Sequence, residues 1–183
     1  MSRDSFVLRP AQLNDIRKLN SLIQVSARGL NQNHYTHAQV DSLIRYVFGV
    51  DTELIADQTY YVIEENGKFS ACGGWSQRKT LFGSDKCASR KNGYLDPKTD
   101  PAKIRAFFVH PDFGRKGLGN RLMIQCEEAV KKAGFCETEL MSTLPGLAFY
   151  RAHGYVGDQF VDYPLPDGVI VQFVKMGKSF SKN

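Results

Sequence analysis

The sequence predicts an α/β (α+β) domain in which helices flank a central sheet, and three observations carry that expectation. Segments with apolar residues at helical spacing alternate with short runs of β-branched and aromatic residues. Two of those runs are joined by Glu65-Asn66-Gly67-Lys68, which is the turn chemistry of a tight hairpin. A third run ends at Val109 and passes through a glycine-punctuated turn into the clearest amphipathic helix of the chain. The length of 183 residues suits one domain with one core, so residues 1–183 are read as a single unit.

The elements follow in order. Phe6-Val7-Leu8 opens with a short strand, and Pro10 keeps Arg9 out of a helix. Leu13, Ile16, Leu19, Leu22 and Ile23 recur at helical spacing, Asp15 falls in the first turn where the dipole favours it, and Gly29 is expected to stop this helix. A second helix is expected after Thr36, burying Val40, Leu43, Ile44 and Val47. Tyr60 to Ile63 and Phe69 to Ser76 form the hairpin, and Cys72-Gly73-Gly74 is small enough for close approach to the backbone. Residues 79–102 are polar and rich in Gly, Pro and Asp, which predicts a long ordered excursion. Ile104 to Val109 is a strand ended by His110-Pro111-Asp112. Leu118, Leu122, Cys126, Ala129 and Ala133 then mark the buried stripe of a helix that Gly134 closes. Thr138 to Met141 is a strand, Leu147 to Ala152 a short helix, Gly154-Tyr155-Val156 a strand start, and Val169 to Met176 the closing strand.

Composition narrows the function classes. A hydrophobic fraction of 42% and a charged fraction of 23% are ordinary for a globular chain. No window has the apolar length of a membrane span, and the N-terminus lacks the pattern of a secretory signal, so a cytoplasmic protein without membrane partners is expected. Cys72, Cys87, Cys126 and Cys136 form no C-x-x-C pair and no zinc-ligand spacing, so reduced thiols and no metal are expected. His34 and His37 lie three apart with no obvious third ligand, which makes them surface or helix-entry residues. The net charge of +5 favours anionic partners. Its basic residues are dispersed and accompany no nucleic-acid-binding signature, so a polyanionic small molecule is the expected partner and nucleic acid is not.

A strand, a glycine turn and a helix make a phosphate site, because the first helical turn presents unpaired N–H groups and the dipole favours negative charge. Gly114-Arg115-Lys116-Gly117-Leu118-Gly119-Asn120 adds two cations to that arrangement. A P-loop needs Lys and a hydroxyl where Asn120-Arg121 stands, and a dinucleotide fingerprint needs glycine where Leu122 stands. The stretch from Phe108 and Val109 through His110-Pro111-Asp112-Phe113 to Gly119 instead resembles the acyl-CoA motif of the GNAT acetyltransferases. The usual Arg or Gln position is Gly114 here, with the arginine at Arg115. Arg9-Pro10-Ala11 with Asp15, and Phe149-Tyr150-Arg151-Ala152-His153-Gly154-Tyr155, resemble two further segments of that family in the family's order.

The resemblance implies a mixed, mostly antiparallel sheet flanked by helices, acetyl-CoA as co-substrate, and acyl transfer to a small-molecule or peptide amine by direct attack. It implies that the pyrophosphate lies on the N–H groups of Arg115 to Asn120, with Gly114, Gly117, Leu118 and Gly119 shaping the turn. The pantetheine arm would lie along Ile104–Val109, with an N–H near Phe108 or Val109 polarising the thioester carbonyl. Tyr150 stands where the family's acid protonates the departing thiolate, packing with Phe149 being its other reading. The family's strand glutamate is missing, since this strand has Lys103 and Arg105 but no carboxylate. Asp96, Asp100, Glu139 or water remain open as the base. By analogy residues 26–40, Trp75 to Tyr94, and Phe160 to Gly168 should border the acceptor. Trp75 with Arg78 could hold an aromatic or carboxylate-bearing molecule, and burial of Trp75 in the core is the competing expectation. A CoA-binding protein without turnover is the alternative function. Val169–Val174 offers an apolar edge through which a homodimer could form.

Overall fold

The computed structural model describes residues 6–30, 33–88 and 90–180, and in it the strand-forming runs assemble into one mixed sheet. Its strands are β1 (Phe6–Pro10), β2 (Tyr60–Glu65), β3 (Lys68–Ser76), β4 (Ala102–Val109), β5 (Glu137–Thr143), β6 (Val156–Pro164) and β7 (Ile170–Ser179). They lie in the order β1-β2-β3-β4-β5-β7-β6. The helices are α1 (Ile16–Leu30), α2 (His37–Tyr46), α3 (Thr52–Ala56), α4 (Leu118–Lys132) and α5 (Leu147–Ala152). All strand pairs are antiparallel except β4 with β5.

The two-residue period of β2 divides the core. Tyr60 and Val62 face a cluster with Leu19, Ile23, Leu43 and Leu54 under α1, α2 and α3. Tyr61 and Ile63 face the opposite cluster, where α4 buries Leu118, Leu122, Met123, Cys126 and Val130. Each fully buried aliphatic side chain in these clusters contributes about 1.5–3 kcal/mol. Thr36 caps α2 by accepting from the Gln39 N–H at 3.2 Å, so the expected start of that helix is observed. Asn66 and Gly67 have φ of 51° and 76°, as a hairpin turn of that sequence requires. Gly134, at φ 88°, follows the last residue of α4's C-terminal cap.

Three expectations need correction, and one helix was missed. Gly29 lies inside α1 and does not stop it. A Cβ there would sit 2.2 Å from Pro111 Cγ, so glycine serves the approach of the turn after β4. Asp15 precedes α1 in a short 3-10 turn, where it accepts from the Gln12 N–H and from Arg9. The helix α3 was not anticipated, and Asp51 caps it. The closing strand β7 is not an edge. It pairs with β6 on one side and, from Phe173 onward, with β5 on the other. Within Val169–Val174 only Phe173 and Val174 are therefore paired on both sides, while the Ile170 and Gln172 carbonyls accept from Gln39 and Tyr35. The edge strand on that side is β6, which shows no burial alternation along its first five residues.

Candidate functional site

The parallel pair is where the site arises. Strands β4 and β5 pair only at Ala102–Thr138 and Lys103–Glu139, after which they diverge. A cleft of about 560 Å³ occupies the gap, with Ile104 to Val109 along one wall and Met141 and Thr143 along the other. Lys103 and Lys175 both pair with Glu139 at the closed end. Burial opposes ionisation of Glu139, but the hydrogen bonds from the two lysines outweigh it and lower its pKa.

Strand β4 carries a bulge against β3, between the register pairs Cys72–Phe108 and Gly74–Arg105. Ala106 sits in it at φ 54°, held by the Tyr60 hydroxyl, which lies 3.2 Å from the Ala106 carbonyl oxygen. Beyond the bulge the His110 N–H donates to the Ser70 carbonyl at 2.9 Å. Antiparallel ladders alternate bonded and unbonded pairs, so the Val109–Ala71 pair is unbonded and the Val109 N–H points away from β3, into the cleft. Phe108 belongs to the bonded pair, and its amide also lies near the Cys72 thiol. Of the two candidates for a donor to the thioester carbonyl, Val109 is therefore the one aimed at the gap.

The glycine turn closes one end of the cleft. His110 accepts from the Asp112 N–H through Nδ1 at 3.2 Å and opens a 3-10 turn, Pro111–Phe113. Arg115 at φ 63° and Gly117 at φ 76° then bend the chain so that α4 points its first turn at the cleft. Gly117 is the N-cap and has no side chain with which to cap the first-turn N–H groups of Leu118, Gly119 and Asn120. Gly119 is needed for packing, because a Cβ there would meet the Phe149 ring at 3.1 Å. Gly114, Arg115, Gly117, Leu118, Gly119 and Asn120 all line the cleft. Lys116 is exposed and lies over the Phe113 ring at 4.8 Å, on the rim.

Tyr150 lines the cleft on α5, its ring 6.4 Å from that of Phe107 and 5.2 Å from that of Phe149. Gly146 lets the ring approach: a Cβ there would lie 3.1 Å from Tyr150 Cε2. Burial raises the phenol pKa well above its ordinary value, with the Cys126 thiol adding to it. His153 also lines the cleft beside Phe149, and burial holds its pKa below the usual range. Both groups are therefore neutral at pH 7. Sequence reasoning missed His153, although it lies within the quoted segment around Tyr150.

The far end of the cleft differs from expectation. Val47, Phe48 and Gly49 line it from the end of α2, Phe82 and Gly83 from the 79–102 excursion, and Phe173 from β7. Of the stretches first suggested for an acceptor wall, only Ser26, Phe82 and Gly83 line the cleft. Trp75 is buried against Phe135 in the α4 cluster. Arg78 binds Asp57 at 2.6 Å and stacks on exposed Tyr94. Arg28 pairs with Asp41, and the Tyr35 hydroxyl donates to the Gln172 carbonyl. Val47-Phe48-Gly49-Val50 was legible as an apolar run interrupted by glycine, which was the available signal. Asp96 and Asp100 form a turn together, with the Asp100 carboxylate accepting from the Asp96 N–H. Among the described residues lining the cleft, none is Asp or Glu, and no group of three His, Cys, Asp or Glu side chains could hold a metal. Burial raises the pKa of Cys72 to about 12 and that of Cys126 still further, which disfavours either as a nucleophile. No described helix is long and apolar enough to cross a membrane.

Comparison with known proteins gives the same architecture. A GCN5-related N-acetyltransferase from Rhodopseudomonas palustris superposes with a TM-score of 0.71 at 17% identity, covering 98% of this chain and 99% of its own. The PaiA N-acetyltransferase of Thermoplasma acidophilum, solved with coenzyme A, gives 0.63 at 14% identity, with 98% and 100% covered. YncA of Salmonella typhimurium, a putative acetyltransferase solved with acetyl-CoA, gives 0.62 at 14%, with 98% and 96% covered. At these identities the likeness concerns the fold. No curated protein matches the sequence. The model of the acetyltransferase (GNAT) family matches residues 23–155, which is more than half of the sequence. Together with the splayed β4–β5 pair and the uncapped turn at Gly117, that match makes this chain a member of the GNAT acetyltransferase family.

Proposed function

We propose that the protein transfers an acetyl group from acetyl-CoA to an amine by direct attack. The observation that carries this reading is the continuity of two unsatisfied backbone surfaces, the open edge of β4 and the first turn of α4. A diphosphate fits the second, where N–H donors and the helix dipole act together. An extended amide-bearing arm fits the first, as an added strand would. CoA joins those two chemistries in one molecule and supplies an activated acyl group. The neighbours from Thermoplasma acidophilum and Salmonella typhimurium were solved with coenzyme A and acetyl-CoA.

The chain's own residues then have separate tasks. Arg115 to Asn120 hold the diphosphate, the Val109 N–H donates to the thioester carbonyl oxygen, and Tyr150 gives its proton to the leaving sulfur. Because burial raises the Tyr150 pKa, the phenol keeps its proton at neutral and mildly alkaline pH, the state required of an acid. A CoA-binding protein without turnover is the second reading, and the lack of Asp and Glu among the described lining residues favours it.

Calorimetric titration of CoA and acetyl-CoA into the protein and into Gly117→Asp tests the binding. Gly117 is exposed and a Cβ there meets nothing within 4 Å, so aspartate clashes with no neighbour while placing negative charge where the diphosphate belongs, although its φ of 76° costs aspartate backbone strain that glycine avoids. Saturable binding to the parent and none to the variant is the expected result. Failure of the parent protein to bind removes the acyltransferase reading.

A further inference from the structure

The far end of the cleft has a chemistry that restricts the acceptor. We infer that it takes an aromatic or otherwise apolar molecule presenting a weakly basic nitrogen, one that is already uncharged at neutral pH. The inference rests on the acetyltransferase reading and specifies its second substrate.

The wall is aromatic and aliphatic. The Phe48 and Phe108 rings meet edge-on at 5.3 Å, and Phe82 lies 5.4 Å from Phe173 and 5.0 Å from Tyr163. Such a surface favours a flat apolar body. It gives an ammonium group no counter-ion, since no described lining residue is Asp or Glu. The nearby carboxylate, Asp51, is 1% exposed and bound to Arg105 at 2.7 Å. The Arg105 guanidinium is itself 2% exposed and also donates to the Thr80 and Gly83 carbonyls. An alkylammonium entering here would lose its hydration with no carboxylate among the described lining residues to compensate, which shifts its equilibrium toward the neutral amine or disfavours its entry.

The proton balance agrees. The lone pair of a neutral amine attacks the thioester carbonyl carbon, forming the N–C bond as the C–S bond breaks. The Tyr150 hydroxyl gives its proton to the departing sulfur, and the proton leaving nitrogen returns through water to the Tyr150 oxygen. One proton leaves nitrogen and one arrives at sulfur, so a neutral nucleophile needs no carboxylate base. A strongly basic amine must first lose an additional proton, and the cleft holds no carboxylate to take it.

The test uses purified protein with saturating acetyl-CoA and reads thiol release at pH 7.0 with four acceptors: aniline, phenylhydrazine, benzylamine and spermidine. Aniline or phenylhydrazine should exceed benzylamine at least tenfold in kcat/KM, with spermidine lowest. Between pH 6 and 9 the rate with the weakly basic acceptor should stay nearly flat, while that with benzylamine rises about tenfold per unit below its own pKa. Transfer to benzylamine or spermidine at an equal or greater rate at pH 7.0 overturns the inference and leaves the acetyltransferase reading standing. Transfer to none of the four, with acetyl-CoA bound in the calorimeter, also overturns it and supports binding without turnover. Absence of acetyl-CoA binding overturns instead the reading on which the inference rests.

Discussion

Tyr150 shows how surroundings fit a single side chain to its proposed role. Phe107, Phe149 and Tyr155 ring it, and Gly146 makes room for its edge, so the phenol is held in one position with its pKa raised by burial. Tyr150→Phe keeps that packing and removes the proposed acid. It should lower kcat about a hundredfold with little change in KM for acetyl-CoA, as steady-state kinetics would show. The parent protein should lose no transfer activity through deprotonation of this group between pH 7 and 9. The position of Tyr150 was legible because a whole segment, Phe149 to Tyr155, carried it. The aiming of Val109 was not, because which amide faces a gap depends on the bulge at Ala106 and the register against β3.

At the scale of elements, the strongest constraint on the acceptor wall is ionic. Asp51 caps α3, binds buried Arg105 on β4, and with Glu53 receives Arg90 from the excursion. Three separate segments thus converge beside Phe82 and Gly83. Asp51→Ala leaves the Arg105 guanidinium buried without its partner and also removes the cap. Denaturant unfolding should show a loss of about 3–5 kcal/mol. None of this was readable from spacing, since the partners are separated by tens of residues. The helix α3 escaped notice because five residues are too few to display a helical period. The strand β6 was read only as a start because its side chains are exposed on both faces, and an edge without alternation gives no two-residue signal. By contrast the bounds of α4, with its flanking positive-φ glycines, were legible, although its buried stripe runs through Met123 and Val130, with Ala129 half-buried and Ala133 exposed.

For the molecule as a whole, carboxylates with lowered pKa values tie distant parts together and set its tolerance of acid. The Arg9 hydrogen bond lowers the Asp15 pKa against an opposing burial effect, linking β1 to the entry of α1. Glu139 joins β4 to β7 through Lys103 and Lys175. A carboxyl group whose folded pKa is depressed stabilises the fold above its unfolded value and loses that contribution as pH falls through the folded one. The ordinary values are 3.8 and 4.5, so the melting temperature should be level above about pH 5.5 and fall progressively below pH 4.5, as thermal scans across pH would reveal. The strand order was the part of the architecture that the chain's pattern could not disclose, and it placed β7 in the interior. It also gives the sheet the mechanics of a clothes-peg. The pivot is the short Ala102–Thr138 and Lys103–Glu139 pairing, clamped by two lysines, and the jaws are the remainders of β4 and β5. A molecule gripped between the jaws supplies the missing rungs of the ladder. What the protein recognises therefore also completes it, so occupancy and rigidity should rise together.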